Sequence, residues 1–75
     1  MRELEVIPHP TMRISILQFN SRFQVRFEAG PMEQIYKFDT ALYKDLNAVK
    51  SALNDAFIDH VRGVFNSMYT LYSIP

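Results

Sequence analysis

The stretch from Met12 to Phe38, MRISILQFNSRFQVRFEAGPMEQIYKF, decides the fold. Met12, Ile14 and Ile16 alternate with Arg13 and Ser15, and Phe23, Val25 and Phe27 alternate with Arg22, Gln24 and Arg26. Successive side chains of a strand point to opposite faces, so this period of two predicts two strands, each with one buried face. Asn20-Ser21 between them predicts a two-residue turn. Such a turn sets Phe19 opposite Arg22, Ile16 opposite Val25 and Ile14 opposite Phe27, and it leaves Arg13 opposite Glu28 as a complementary pair on the outer face. Ala29-Gly30-Pro31 then breaks the pattern, because Gly30 accepts positive φ and Pro31 has no N–H for a ladder. A third strand is predicted over about Met32 to Phe38, with Tyr36 and Phe38 facing the core, and a loop of either two or four residues before it leaves its register open.

Outward from this stretch the pattern changes. Leu4 to Ile7 can add an amino-terminal edge strand, separated from the hairpin by Pro8-His9-Pro10, whose prolines force an extended break. After Phe38 the apolar spacing becomes helical: Leu46, Val49 and Leu53, then Phe57, Val61, Val64, Phe65, Met68 and Tyr72. Asp45 or Asn47 can cap a first short helix and Asn54 a second, with Asp55 well placed in its first turn, although one kinked helix is the alternative. Gly63 in the stripe predicts a close approach to the sheet. The expected class is α+β: a three-stranded antiparallel sheet, with a possible fourth amino-terminal edge strand, packed on one face by one or two carboxy-terminal helices. The expected core is Ile14, Ile16, Phe23, Val25, Phe27, Tyr36, Phe38, Leu46, Val49, Leu53, Phe57, Val61, Val64, Phe65 and Met68.

A chain of 75 residues makes one domain, and a domain that small buries only about 60% of the surface its unfolded form exposes. Its 48% hydrophobic and 13% aromatic content places it among folded chains. With no cysteine it has no disulfide and none of the common zinc sites, so a partner subunit is the remaining staple. Eight basic and eight acidic side chains balance, giving no global field to draw nucleic acid or an anionic membrane. No apolar run is long enough to span a bilayer, and the acidic start Met1-Arg2-Glu3-Leu4-Glu5 lacks the order of a secretory signal, so the expected compartment is the cytoplasm.

Several of these segments together, Ile7-Pro8-His9-Pro10, Phe27-Glu28-Ala29-Gly30, Glu33-Gln34-Ile35-Tyr36-Lys37 and a final helix with Phe57, Val61, Phe65 and Met68, resemble a small family of uncharacterised short bacterial proteins. The resemblance covers nearly the whole chain. That family brings no known activity, so it transfers no functional residue.

Catalytic chemistry has few candidates. His9 lies between prolines, and His60 sits beside Asp59, but helix neighbours point about 100° apart, so Asp59 does not orient it. Both read as structural or surface residues, the serines and threonines carry no nucleophile motif, and the expectation is a non-enzymatic protein with no metal and no cofactor. Gln34 shares the apolar face of its strand, where an amide is expected to bond a turn or the end of a helix.

Binding surfaces are better represented. The outer sheet face should carry Arg13, Ser15, Leu17, Phe19, Arg22, Gln24, Arg26, Ile35 and Lys37, and segment 12–38 holds four basic and two acidic residues. Basic strands with an exposed aromatic can stack bases and hold phosphates of a single strand. The order of three strands and a helix is similar in topology to the single-strand-binding folds of the Pur and positive-coactivator types, whose motifs this chain lacks. At the carboxyl end Met68, Tyr69, Leu71, Tyr72 and Ile74 exceed what one side of a helix can bury against so small a sheet, which predicts a dimer contact at Tyr69, Leu71 and Tyr72. The leading expectation is a homodimeric protein-interaction module, and the alternative is single-stranded nucleic-acid binding through the outer face.

Overall fold

In the computed structural model, which describes residues 2–72, strands β1 (Arg2–Ile7), β2 (Arg13–Phe19), β3 (Arg22–Ala29) and β4 (Met32–Asp39) precede helices α1 (Leu46–Ala52) and α2 (Asp55–Tyr72). The strands form one antiparallel sheet in the order β1-β2-β3-β4. The amino-terminal segment is therefore a full fourth strand.

The β2–β3 register is the one the turn dictates, from Phe19 against Arg22 to Arg13 against Glu28. Asn20 takes φ 57°, a conformation that asparagine tolerates better than most residues. The β3–β4 loop holds two residues: Gly30 adopts φ 59°, and Ala29 pairs with Met32. That settles the register left open by the sequence, with Val25 against Tyr36 and Phe23 against Phe38 on the inner face.

β1 departs from simple alternation. Glu3 pairs with Leu17 but Glu5 pairs with Ile16, so Leu4 is the extra residue of a β-bulge. Leu4 packs on the core, and Glu5 is carried to the helix side of the sheet, where its carboxylate lies 2.7 Å from Lys50 Nζ on α1.

Both helices start at predicted caps. Asp45 Oδ1 accepts from the Ala48 amide and Asn54 Oδ1 from the Phe57 amide, each at 2.9 Å. The break between the helices falls at Leu53-Asn54. Leu53 itself is buried, and its N–H returns to the carbonyls of Val49 and Lys50.

The core lies between the sheet and the helices: Ile14, Ile16, Phe23, Val25, Phe27 and Phe38 meet Val49, Leu53, Val61 and Phe65, with Tyr36, Leu46, Phe57 and Met68 partly buried around them. Phe27 is the aromatic hub, its ring 5.8 Å from Tyr36 edge-on and 6.0 Å from Phe57 in a stacked pose. Met12 and Met32 join the core at the end of the sheet. Val64, expected inside, is 44% exposed, because the sheet covers a narrower arc of α2 than its apolar residues span. Gly63 was expected at a close approach, yet a Cβ built there meets nothing within 4 Å. It faces open space.

Candidate functional site: the outer sheet face, the free edge and the helix tail

The two helices pack on one face of the sheet, so the register decides what the other face displays. On it stand Glu3 and Val6 from β1, Arg13, Ser15, Leu17 and Phe19 from β2, Arg22, Gln24, Arg26 and Glu28 from β3, and Glu33, Ile35, Lys37 and Asp39 from β4. Every residue predicted for this face is there. Its electrostatics differ from the prediction, however, because pairing brings in Glu3 from β1 and sets Asp39 opposite Arg22. Four basic side chains thus meet four acidic ones, and the local excess of positive charge vanishes.

Individual pairs show the same balance. Arg13, expected to serve Glu28, directs Nη2 to Glu3 Oε1 at 3.3 Å and Nε to the Ser15 hydroxyl at 3.4 Å. The bulged edge strand supplies the closer carboxylate. Arg26 Nε lies 3.9 Å from Glu33 Oε1 across the strands, too long for a hydrogen bond, and that nitrogen is buried without a hydrogen-bond partner. Glu28 stands directly opposite Glu33, a like-charge neighbour that Arg26 offsets.

The centre of the face is not available for contact. Leu17 is only 8% exposed and Gln24 and Ser15 are also buried, although both helices pack on the opposite face. Phe19, Ile35 and Val6 remain exposed, at the rim of the face. Phe19, Arg22, Gln24 and Lys37 enclose a shallow recess of about 280 Å³ at the turn end of β2 and β3.

The edges of the sheet are unlike. β1 is interrupted by the Leu4 bulge and carries Arg2, Glu3 and Glu5, features that discourage pairing with another strand. β4 runs eight residues in unbroken register. At its far end the Asp39 carbonyl accepts from the Leu42 and Tyr43 amides at 3.0 and 2.9 Å, so the chain's own loop closes that part of the edge.

Helix α2 supplies the remaining apolar surface. Its last well-buried residue is Phe65, and beyond it Leu71 and Tyr72 are 69% and 64% exposed, with Tyr69 similarly open. Ile74, expected in the same patch, lies outside the described residues. A second cavity of about 280 Å³ opens where α2 passes the end of the sheet, between Met12, Ala29 and Met32 below and Arg62, Phe65 and Tyr69 above.

His9 Nδ1 faces the Thr11 amide and hydroxyl at 3.2 Å, an ordinary turn contact, and His60 is exposed on α2 while Asp59 pairs with Arg62 at 3.6 Å. Among the described residues no three His, Asp or Glu side chains converge on a common point, and no helix is long and apolar enough to cross a membrane. Gln34 does bond the helix layer, but in mid-helix: Nε2 donates to the Val61 carbonyl at 3.0 Å, and the Tyr36 hydroxyl donates to Oε1. No family model, curated protein or solved structure matches the chain.

Proposed function

We propose that the protein is a non-enzymatic, homodimeric module that recognises another protein. The observation that supports this most is the mismatch between apolar surface and cover on α2, where Val64, Leu71 and Tyr72 stay exposed along a helix whose last fully buried residue is Phe65 and whose core contact ends at the partly buried Met68. Exposed apolar surface grouped in this way marks an interaction site more often than a solvated one. A second copy also compensates for a small core that has no disulfide. Sedimentation at micromolar concentration tests the dimer: twice the 8.8 kDa chain mass supports it, and a strictly monomeric species removes it.

A second reading has one observation in its favour. The recess of Phe19, Arg22, Gln24 and Lys37 brings a half-exposed aromatic ring and two cations together, the elements that grip a single-stranded nucleic acid. The four carboxylates on the same face weigh against it, since phosphates need an unbalanced positive surface.

A further inference from the structure

We infer that the homodimer forms by antiparallel pairing of β4 with β4 of a second copy, centred on Ile35, so that two sheets become one of eight strands. The inference rests on the dimeric reading above and places the self-contact on β4, which leaves the exposed apolar side of α2 as the surface that meets the other protein.

Hydrogen-bonding direction alternates along an antiparallel strand. In a two-residue hairpin the residues flanking the loop bond each other, here Ala29 and Met32, so Met32, Gln34, Tyr36 and Phe38 direct their backbone groups to β3. Glu33, Ile35, Lys37 and Asp39 direct theirs outward. The Asp39 carbonyl, taken by Leu42 and Tyr43, agrees with that parity. Among the described residues, no turn, loop or side-chain hydrogen bond reaches the outward groups of Glu33, Ile35 and Lys37. This leaves a regular segment with open donors and acceptors, which is the condition for strand addition.

Charge selects the register. With Ile35 of each copy opposite the other, Glu33 of one copy faces Lys37 of its partner, twice by symmetry, and the half-exposed Ile35 side chains meet between the two ion pairs. The three outward residues then exchange about six backbone hydrogen bonds. Centring the pair on Glu33 or on Lys37 sets like charges against each other at the axis. Centring it on Gln34 or Tyr36 places a charge opposite Ile35. Only the Ile35 axis matches both signs, and β1 offers no competing edge.

The test is a charge exchange read by sedimentation. Glu33→Lys and Lys37→Glu, each alone, should sediment as monomers, because each sets like charges opposite each other at both pairs. Mixed in equal amounts they should form a heterodimer, and the double exchange Glu33→Lys/Lys37→Glu should restore the homodimer. Hydrogen exchange on the unaltered protein gives a reading that needs no variant: the amides of Glu33, Ile35 and Lys37 should gain protection as concentration rises through the dimerisation range. If the unaltered protein is a monomer, the dimeric reading and this one both fail. If it is a dimer but the single exchanges leave it intact, or the edge amides gain no protection, the β4 contact is wrong and the dimeric reading stands. Leu71→Asp then locates the contact on the helix tail by dissociating it, whereas with β4 pairing it leaves the dimer unchanged.

Discussion

Gln34 of β4 is bonded to the carbonyl of Val61 in the middle of α2 while receiving the Tyr36 hydroxyl on its other end, so one buried amide joins the sheet layer to the helix layer. A carbonyl has two lone pairs, which lets Val61 accept from Gln34 without giving up its place in the helix. The arrangement fixes where α2 sits along β4. It also explains why a polar residue is placed opposite Phe27 on the apolar face.

Removing both members of this pair should therefore cost less than the two separate losses added together. Tyr36→Phe leaves Gln34 Oε1 without its donor, and Gln34→Leu leaves the Tyr36 hydroxyl without its acceptor, each at roughly 1 to 3 kcal/mol. The double variant should fall well short of the sum. A urea-denaturation cycle measures the coupling, and strict additivity would show that the two side chains act separately.

Gly63 gives the opposite sign. It lies inside an 18-residue helix with open space at its Cβ position, so Gly63→Ala should stabilise the protein by about 1 kcal/mol. For a domain of this size that is a rise in melting temperature of about 4 to 8 °C. A fall would mean that a partner approaches this face of α2 closely.

The aromatic hub is the most sensitive point of the core. Phe27 is fully buried against Tyr36 and Phe57, and Phe27→Ala should cost roughly 3 to 5 kcal/mol. Against a total of about 5 kcal/mol, the low end where a domain this small belongs, that loss leaves a substantial unfolded fraction at room temperature. Phe57, partly exposed at the start of α2, should cost less when truncated. Chemical denaturation of both variants checks the order.

Much of this architecture is legible in the chain because local signals agree with one another. The Asn20-Ser21 turn and the alternation on both sides of it demand the same register, and Asp45 and Asn54 stand where the helical spacing needs caps. The β1 bulge is not legible: Leu4 and Val6 share a parity in the sequence, yet the extra residue turns Val6 outward and Glu5 toward Lys50, and no glycine or proline marks the place. The burial of Leu17 and Gln24 also escapes a face-by-face reading, since it occurs on the face that the helices do not cover. The charge balance of the outer face is hidden for a related reason. It depends on which strand each carboxylate joins, and segment 12–38 contains neither Glu3 nor Asp39.

That balance makes the nucleic-acid reading testable by salt. A protein that neutralises several phosphates loses affinity in proportion to the counterions released, so log K falls with log salt by about 0.7 per contact on a single strand. Arg13 and Arg26 stand beside Glu3 and Glu33, leaving Arg22 and Lys37 at the recess as the cations best placed for phosphate, with Asp39 opposite Arg22. The expected outcome is weak binding of a mixed single-stranded oligonucleotide at low salt, with a slope of no more than about two contacts. Arg22→Ala should flatten whatever slope exists by nearly one contact, and Phe19→Ala should remove roughly 1 to 3 kcal/mol if a base stacks there. Both residues are exposed, so both variants should keep the melting temperature of the parent protein. A steep salt slope with sub-micromolar affinity would reverse the order of the two functional readings, because a charge-balanced face can reach it only by recruiting cations from a second copy.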